Sequence, residues 1–396
     1  MVALEEDSNQ NDHASNLERE TFNSEAASAM THIHTESIAE RVDKCTPIFG
    51  SASVSVRCLT LVAATLLVAA VVFGIGANAA AEQENFRLLG PVYDVDAIMG
   101  PKACAECHKT TAQVWELSLH HTLIKKSHRT KEGRAFAKKL GVKRIKDPEG
   151  LCASCHYTVQ KAKKRPKVIA GVSCETCHGA ARDWIKVHSE FSGKKEEQES
   201  PEEEEARWAK SEEAGMIRPR NLYALASNCF SCHSTANERL INVGGHPTGG
   251  DFELLSWTMG EVRHNVWYTK PNDEAPPDRR RMMYLAGLSL TLATSLEALA
   301  EVEEPGGKYA TYMQARADGA AAKLAKAAGL LGDVPELKAM VDAVPPQGAA
   351  PDTLKAAAAA VGGHASRLLE RDGSGMEAID EMLPGPDAYV GQVANP

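Results

Sequence analysis

Four pentapeptides of one form, Cys-x-x-Cys-His, begin at Cys104, Cys152, Cys174 and Cys229 and account for eight of the chain's ten cysteines. Each sets two thiols and an imidazole within five consecutive residues. That pattern is the attachment signature of c-type haem: the two sulfurs bond the porphyrin vinyl groups, and the next residue presents an imidazole to the iron. Zinc is the competing use of Cys-x-x-Cys pairs, because two such pairs close a tetrahedral thiolate site. Zinc makes no demand for a histidine after each pair, yet all four pairs have one. Thiol-disulfide exchange needs a reactive pair at a helix start, in a thioredoxin-like alternation of strands and helices that is missing around these motifs. The chain is therefore expected to carry four c-type haems. They are attached through Cys104 and Cys107, Cys152 and Cys155, Cys174 and Cys177, and Cys229 and Cys232, with His108, His156, His178 and His233 as proximal iron ligands.

Only 5% of the residues are aromatic, so large rings for a core are scarce, and four flat, mostly apolar macrocycles would supply the missing volume. The expected fold is mainly α: a multihaem cytochrome with little regular sheet, its haem cluster wrapped by helices and loops, plus a C-terminal helical region. TAQVWELSLHHTLIKK at 110–125, GRAFAKKLG at 133–141 and PRNLYALASNCFSCH at 219–233 read as helices. Beyond Pro271 cysteine disappears, and stretches rich in alanine and leucine, separated by Pro and Gly breaks, read as a bundle packed on the haem region. The chain divides into a polar, disordered tail (1–57), an export or anchor segment (58–79), a tetrahaem region (82–270) and an Ala-rich helical region (271–396).

Residues 59–76, LTLVAATLLVAAVVFGIG, form an uncharged apolar run that leads into Ala77, Asn78 and Ala79, a small-x-small pattern like a signal-peptidase site. The run is either a membrane-spanning anchor or the core of a cleaved signal whose start lies downstream of Met1, for example at Met30. Arg41, Lys44 and Arg57 precede it, so both readings put the residues after about 80 in the periplasm or another extracytoplasmic space. His13, His32 and His34 in the tail read as solvated side chains.

Seven further histidines lie beyond the apolar run: His120, His121, His128, His188, His246, His264 and His364. They decide the chemistry, because an iron with two histidines is saturated and passes electrons, whereas a five-coordinate iron can bind a small molecule. If residues 108–120 are helical, His108 and His120 stand about 18 Å apart at a rise of 1.5 Å per residue, too far to share one iron. His120 must then serve a haem other than that of its own motif, and the same holds for His188 relative to His178. The distal candidates are His120 in WELSLHH, His188 in DWIKVH, His246 in GGHPTGG, where glycines allow close backbone approach, and His264 in EVRHN. His121 points to another face of the helix, and His128 and His364 read as surface residues. Met282 and Met283 read as core.

CAECH followed by WELSLHH, then LCASCH, GVSCETCHGAARDWIKVH, and NCFSCH followed by GGHP together resemble the tetrahaem cytochrome c-554 family, electron carriers associated with nitrification. The resemblance covers roughly residues 100–265. It implies closely stacked haems, mostly bis-histidine ligated, with one iron that could be five-coordinate. It also implies His120, His188 and His246 as distal ligands. The chain has no Cys-x-x-Cys-Lys motif, which counts against a likeness to ammonia-forming nitrite reductases.

Charge is segregated. Lys109 to Lys167 holds 16 basic against 4 acidic residues, and Glu190 to Glu213 holds 10 acidic against 4 basic. The acidic insertion reads as a solvated helix or loop. The basic stretch reads as a solvated face or as one that steers an acidic partner or an anion to the haems. The net charge of -9 argues against a nucleic-acid role. The function expected is extracytoplasmic electron transfer with other redox proteins as partners. The alternative is a multihaem oxidoreductase acting on a small nitrogen or sulfur species at one five-coordinate haem. An electron carrier accounts for more of the histidines than an enzyme does.

Overall fold

The computed structural model of the chain describes residues 94–250, 252–267 and 271–394, all within a single compact unit, Asn78–Pro396. The polar tail and the apolar run at 59–76 lie outside the described residues.

Short helices and loops make up the motif-bearing part. In chain order they are α1 (Pro101–Ala105), α2 (Lys109–Leu117), α3 (Leu119–Lys126), α4 (Lys131–Lys139) and α5 (Ala153–His156). An antiparallel hairpin comes next, β1 (Thr158–Ala162) and β2 (Arg165–Ala170), and it is the only sheet among the described residues. Then come α6 (Cys174–His178), α7 (Ile185–Ser189), α8 (Pro201–Glu213), α9 (Leu222–His233) and α10 (Leu254–Thr258). The mainly helical architecture with little sheet is the one expected.

The segment read as one helix over 110–125 is two. Ser118 adopts extended backbone (φ -75, ψ 160), and its Oγ accepts a hydrogen bond from His121 N at 3.3 Å. Serine is among the best N-cap residues because a short side-chain oxygen satisfies a first-turn N–H, so the chain stops α2 and restarts α3 there. The acidic insertion folds into α8, whose first turn is closed by a capping box between Ser200 and Glu203.

Four helices form the C-terminal part: α11 (Pro277–Ala300), α12 (Lys308–Leu331), α13 (Pro335–Asp342) and α14 (Pro351–Leu368). Three of them begin at proline, whose missing N–H and fixed φ suit a first helical position. Apolar or small residues surround α11 on every side, and a helix of that kind is buried. Leu285, Leu290, Leu292 and Ala293 have no exposed surface. By length and composition α11 could cross a membrane, but most of it is enclosed by the rest of the chain, so it is a core helix. The same core cluster takes in Leu222, Ala226 and Phe230 of α9 and Leu254 and Leu255 of α10. The bundle and the helix that ends in the fourth motif thus share one apolar core.

Candidate haem centre

Each motif forms a single helical turn. His108 N bonds to Cys104 O at 2.9 Å and His156 N to Cys152 O at 3.1 Å. α6 spans the third motif, and α9 ends on the fourth. In a helix, positions i, i+3 and i+4 share a face, so both thiols and the imidazole of each motif project to the same side. None of the eight cysteines is in a disulfide.

Each of the four proximal histidines faces one of the four distal candidates. The ring centroids of His108 and His188 are 5.9 Å apart, those of His120 and His233 6.2 Å, those of His156 and His246 6.1 Å, and those of His178 and His264 6.2 Å. A metal bonded to one nitrogen of each ring at about 2 Å stands roughly 3 Å from each centroid, which separates the centroids by about 6 Å. The eight residues therefore fit four bis-histidine irons. No pair joins a motif to the histidine next after it: His120 faces the fourth motif and His188 the first. The remaining histidines are placed differently. His121 packs edge-on against Trp115 at 4.5 Å, His364 contacts Arg367 at 2.9 Å, and His128 and His364 are both half-buried at the surface. Met282 is a core residue, as expected.

The sites fall into two couples. Cys104 and Cys174, from the first and third motifs, are in hydrogen-bonding contact, and that contact is the main cause pushing the Cys104 thiol up. Cys155 and Cys232, from the second and fourth, make the same contact, which draws Cys155 down to about 7. The second and third motifs, 22 positions apart, are tied by hydroxyls instead. Thr158 Oγ1 lies 2.8 Å from Ser173 Oγ and 3.1 Å from Thr176 Oγ1.

Protonation suits iron binding. Burial lowers His156 and His178 to about 4 and His233 to about 3, with neighbouring histidines adding to each shift. Burial and then the Arg218 charge lower His188 to about 4. These rings are neutral at physiological pH, the state a metal requires. The Nδ1 atoms of His178, His246 and His264 lie 2.9, 2.8 and 2.7 Å from the carbonyls of Ile217, Pro247 and Val262. Donation there fixes each ring and leaves Nε2 free for a metal. Among the described residues no group of three or more His, Cys, Asp or Glu is arranged to hold a metal ion by itself.

Residues 103–179 match the family model described as cytochrome c554 and c-prime. That segment is similar to the cytochrome c-554 family. Cytochrome c-554 from Nitrosomonas europaea is 25% identical over 162 residues, which cover 38% of this chain and 60% of the relative. The match thus spans less than two thirds of that relative's length. No solved structure matches the chain. A cytochrome of this family carries covalently attached haem iron.

Much of what positions the histidines lies beyond the segment matched by the cytochrome c-554 model. In α8, Arg207 forms a buried ion pair with Glu199 at 2.6 Å and donates to the His188 carbonyl at 2.7 Å. Arg218 Nη2 reaches His188 Nδ1 at 3.3 Å and Ser211 Oγ at 3.0 Å. The acidic insertion is the largely solvated helix expected, and its few inward-facing residues, Arg207 with Glu199 and Ser211, also brace the first site. Near the C-terminus, Val390 accepts from Glu261 N and donates to Ser256 O, pinning the backbone just before His264. Two supports within the matched segment also lack any signal in the sequence pattern. Glu175 is buried and accepts from the backbone N–H groups of Met99, Gly100 and Ala181 at 2.8, 2.6 and 2.8 Å, locking the first motif onto the third. Gly171 lies directly against the backbone carbonyl of His120.

Proposed function

We propose that this chain is an extracytoplasmic electron carrier with four c-type haems, each iron held between two histidines. The observation that carries the reading is the set of four proximal-to-distal ring separations, all between 5.9 and 6.2 Å. Haem iron bound in such a pair supplies a one-electron couple with no open coordination position. The chain's own contribution is to hold eight imidazoles in facing pairs, with backbone carbonyls and the Arg207 and Glu199 pair as supports. The contacts between Cys104 and Cys174 and between Cys155 and Cys232 support closely spaced centres within each couple. Partners are then other redox proteins. Export is supported by the apolar run at 59–76 and by covalent haem, which is normally attached outside the cytoplasm.

An enzyme acting on a small nitrogen or sulfur species would need one iron without a second histidine, and all four proximal histidines have a facing partner. The test is carbon monoxide binding to the reduced, purified full-length protein, alongside its low-temperature spin state. Four haems per chain, low-spin, with no carbon monoxide taken up, is the expected result. Uptake at one haem in the native protein would overturn the carrier reading in favour of the enzyme. His264→Ala, in an exposed loop, should raise uptake from none to one per chain.

A further inference from the structure

Charged side chains enclosed by protein are normally paired, because an isolated buried charge forfeits its hydration. Arg207 holds Glu199 and Arg281 holds Asp380, each at 2.6 Å. Arg316 on α12, which is half-buried, has no such carboxylate partner. Its Nη1 donates to the carbonyl of Ser234 at 3.2 Å, and its guanidinium carbon lies 5.6 Å from the centre of the Tyr312 ring. The charges and hydrogen bonds that act on it come from Tyr312 and Tyr309, and burial lowers its pKa. No carboxylate among the described residues lies within ion-pair distance of it. Ser234 directly follows His233, and the Arg316 charge is close enough to depress that imidazole. A guanidinium is a planar fork matched to a carboxylate, and each haem brings two carboxylates as its propionates.

We propose that Arg316 is the counter-ion for a propionate of the haem attached through Cys229 and Cys232. The inference rests on the four-haem reading and extends it, since it gives the C-terminal bundle a redox role. A cation fixed beside one centre stabilises its reduced form and raises its potential relative to the same haem without it. It also keeps the propionate ionised, so that the potential of this centre does not follow pH across the neutral range.

The experiment compares the full-length holoprotein with Arg316→Gln and Arg316→Lys, measuring haem content as the pyridine haemochrome and the four midpoint potentials at several pH values, with each centre followed by its paramagnetic resonance signal. Four haems are expected in all three proteins. In R316Q one midpoint should fall and acquire a pH dependence, with the other three unmoved, and R316K should restore most of the difference. Four loaded haems with unchanged midpoints and pH profiles in R316Q would refute the pairing while leaving the carrier reading intact. Absence of covalent haem from the native protein would instead defeat the parent reading. If R316Q fails to load its fourth haem, the native protein decides: a pH-independent fourth midpoint supports the pairing, and a pH-dependent one overturns it.

Discussion

Gly171→Ala gives a sharp test of how closely the hairpin sets the position of His120. A Cβ built on Gly171 stands 2.0 Å from the His120 carbonyl oxygen, 3.0 Å from that of His121 and 3.2 Å from the His120 carbonyl carbon. Real Cβ atoms essentially never approach below 3.0 Å, and ordinary contact begins at 3.4 Å, so α3 must retreat by between 1.0 and 1.4 Å. The φ of Gly171 is not in the positive region, so space alone is the obstacle. The glycine cannot simply swing away. Its carbonyl accepts from Thr158 Oγ1 at 2.7 Å, and the next carbonyl, of Val172, accepts from Trp115 Nε1 at 2.8 Å. Metal-ligand distances tolerate only about 0.2 Å, several times less than the displacement required. Overpacking should cost about 1 to 3 kcal/mol of stability. On the proposed four-haem reading, the haem attached through Cys229 and Cys232 should lose its second imidazole. Covalent attachment depends on the cysteines and should persist. The assay is haem stoichiometry, low-temperature spin state and carbon monoxide uptake on the purified variant. Four haems, one of them high-spin and binding carbon monoxide, are expected. A G171A protein with the native spectrum, no uptake and an unchanged melting temperature would show that the contact does not hold His120 in place.

Glu175→Gln keeps the shape but replaces one acceptor oxygen with a donor that faces a backbone N–H. It should lower stability by about 1 to 3 kcal/mol, read as an earlier denaturant midpoint with haem content unchanged. Burial and then the Glu301 charge raise Glu297 on α11 to about 7, and its buried Oε2 has no partner. A carboxyl whose folded pKa lies above its unfolded one binds more protons when folded. Its contribution is present in full below the unfolded value, about 4.3, and is lost as pH rises through the folded one. Glu297→Gln should therefore flatten the melting temperature between those two pH values and raise it above the upper one. A native protein whose melting temperature does not fall over that interval would contradict the assignment.

The four motifs were legible because covalent haem attachment is a strict five-residue pattern, whereas the helical rise used to keep His108 and His120 apart assumed one unbroken helix, and the chain breaks at Ser118. The four C-terminal helices were legible from alanine and leucine composition punctuated by proline. The break at Ser118 was not, since WELSLHH keeps helical periodicity across it, and only the cap geometry shows that serine stops the helix. The hairpin escaped because TVQKA and RPKVIA are short and lysine-bearing, so their pairing is decided by contact with the motifs rather than by propensity. The supports were hidden for one shared reason. Gly171, Glu175, Arg207 and Arg316 each act on a residue distant in sequence or on a backbone atom, and neither composition nor spacing reports such contacts. The charge count of the insertion pointed correctly to a largely solvated segment but could not show that Arg207 and Glu199 within it form a buried pair.

On the proposed four-haem reading, the histidine pairing also dictates how such a chain can come apart. Each facing pair joins residues roughly 80 to 110 positions apart, and closing loops of that length is where a cross-link restricts the unfolded chain most. The four spans, from 108 to 188, 120 to 233, 156 to 246 and 178 to 264, all contain the stretch from 178 to 188. No cut made within 108–264 spares all four, and a cut between His178 and His188 severs every one. A nick at the exposed Arg182 and Asp183, between α6 and α7, would therefore weaken all four centres together, whereas a nick just before His264 would weaken a single one.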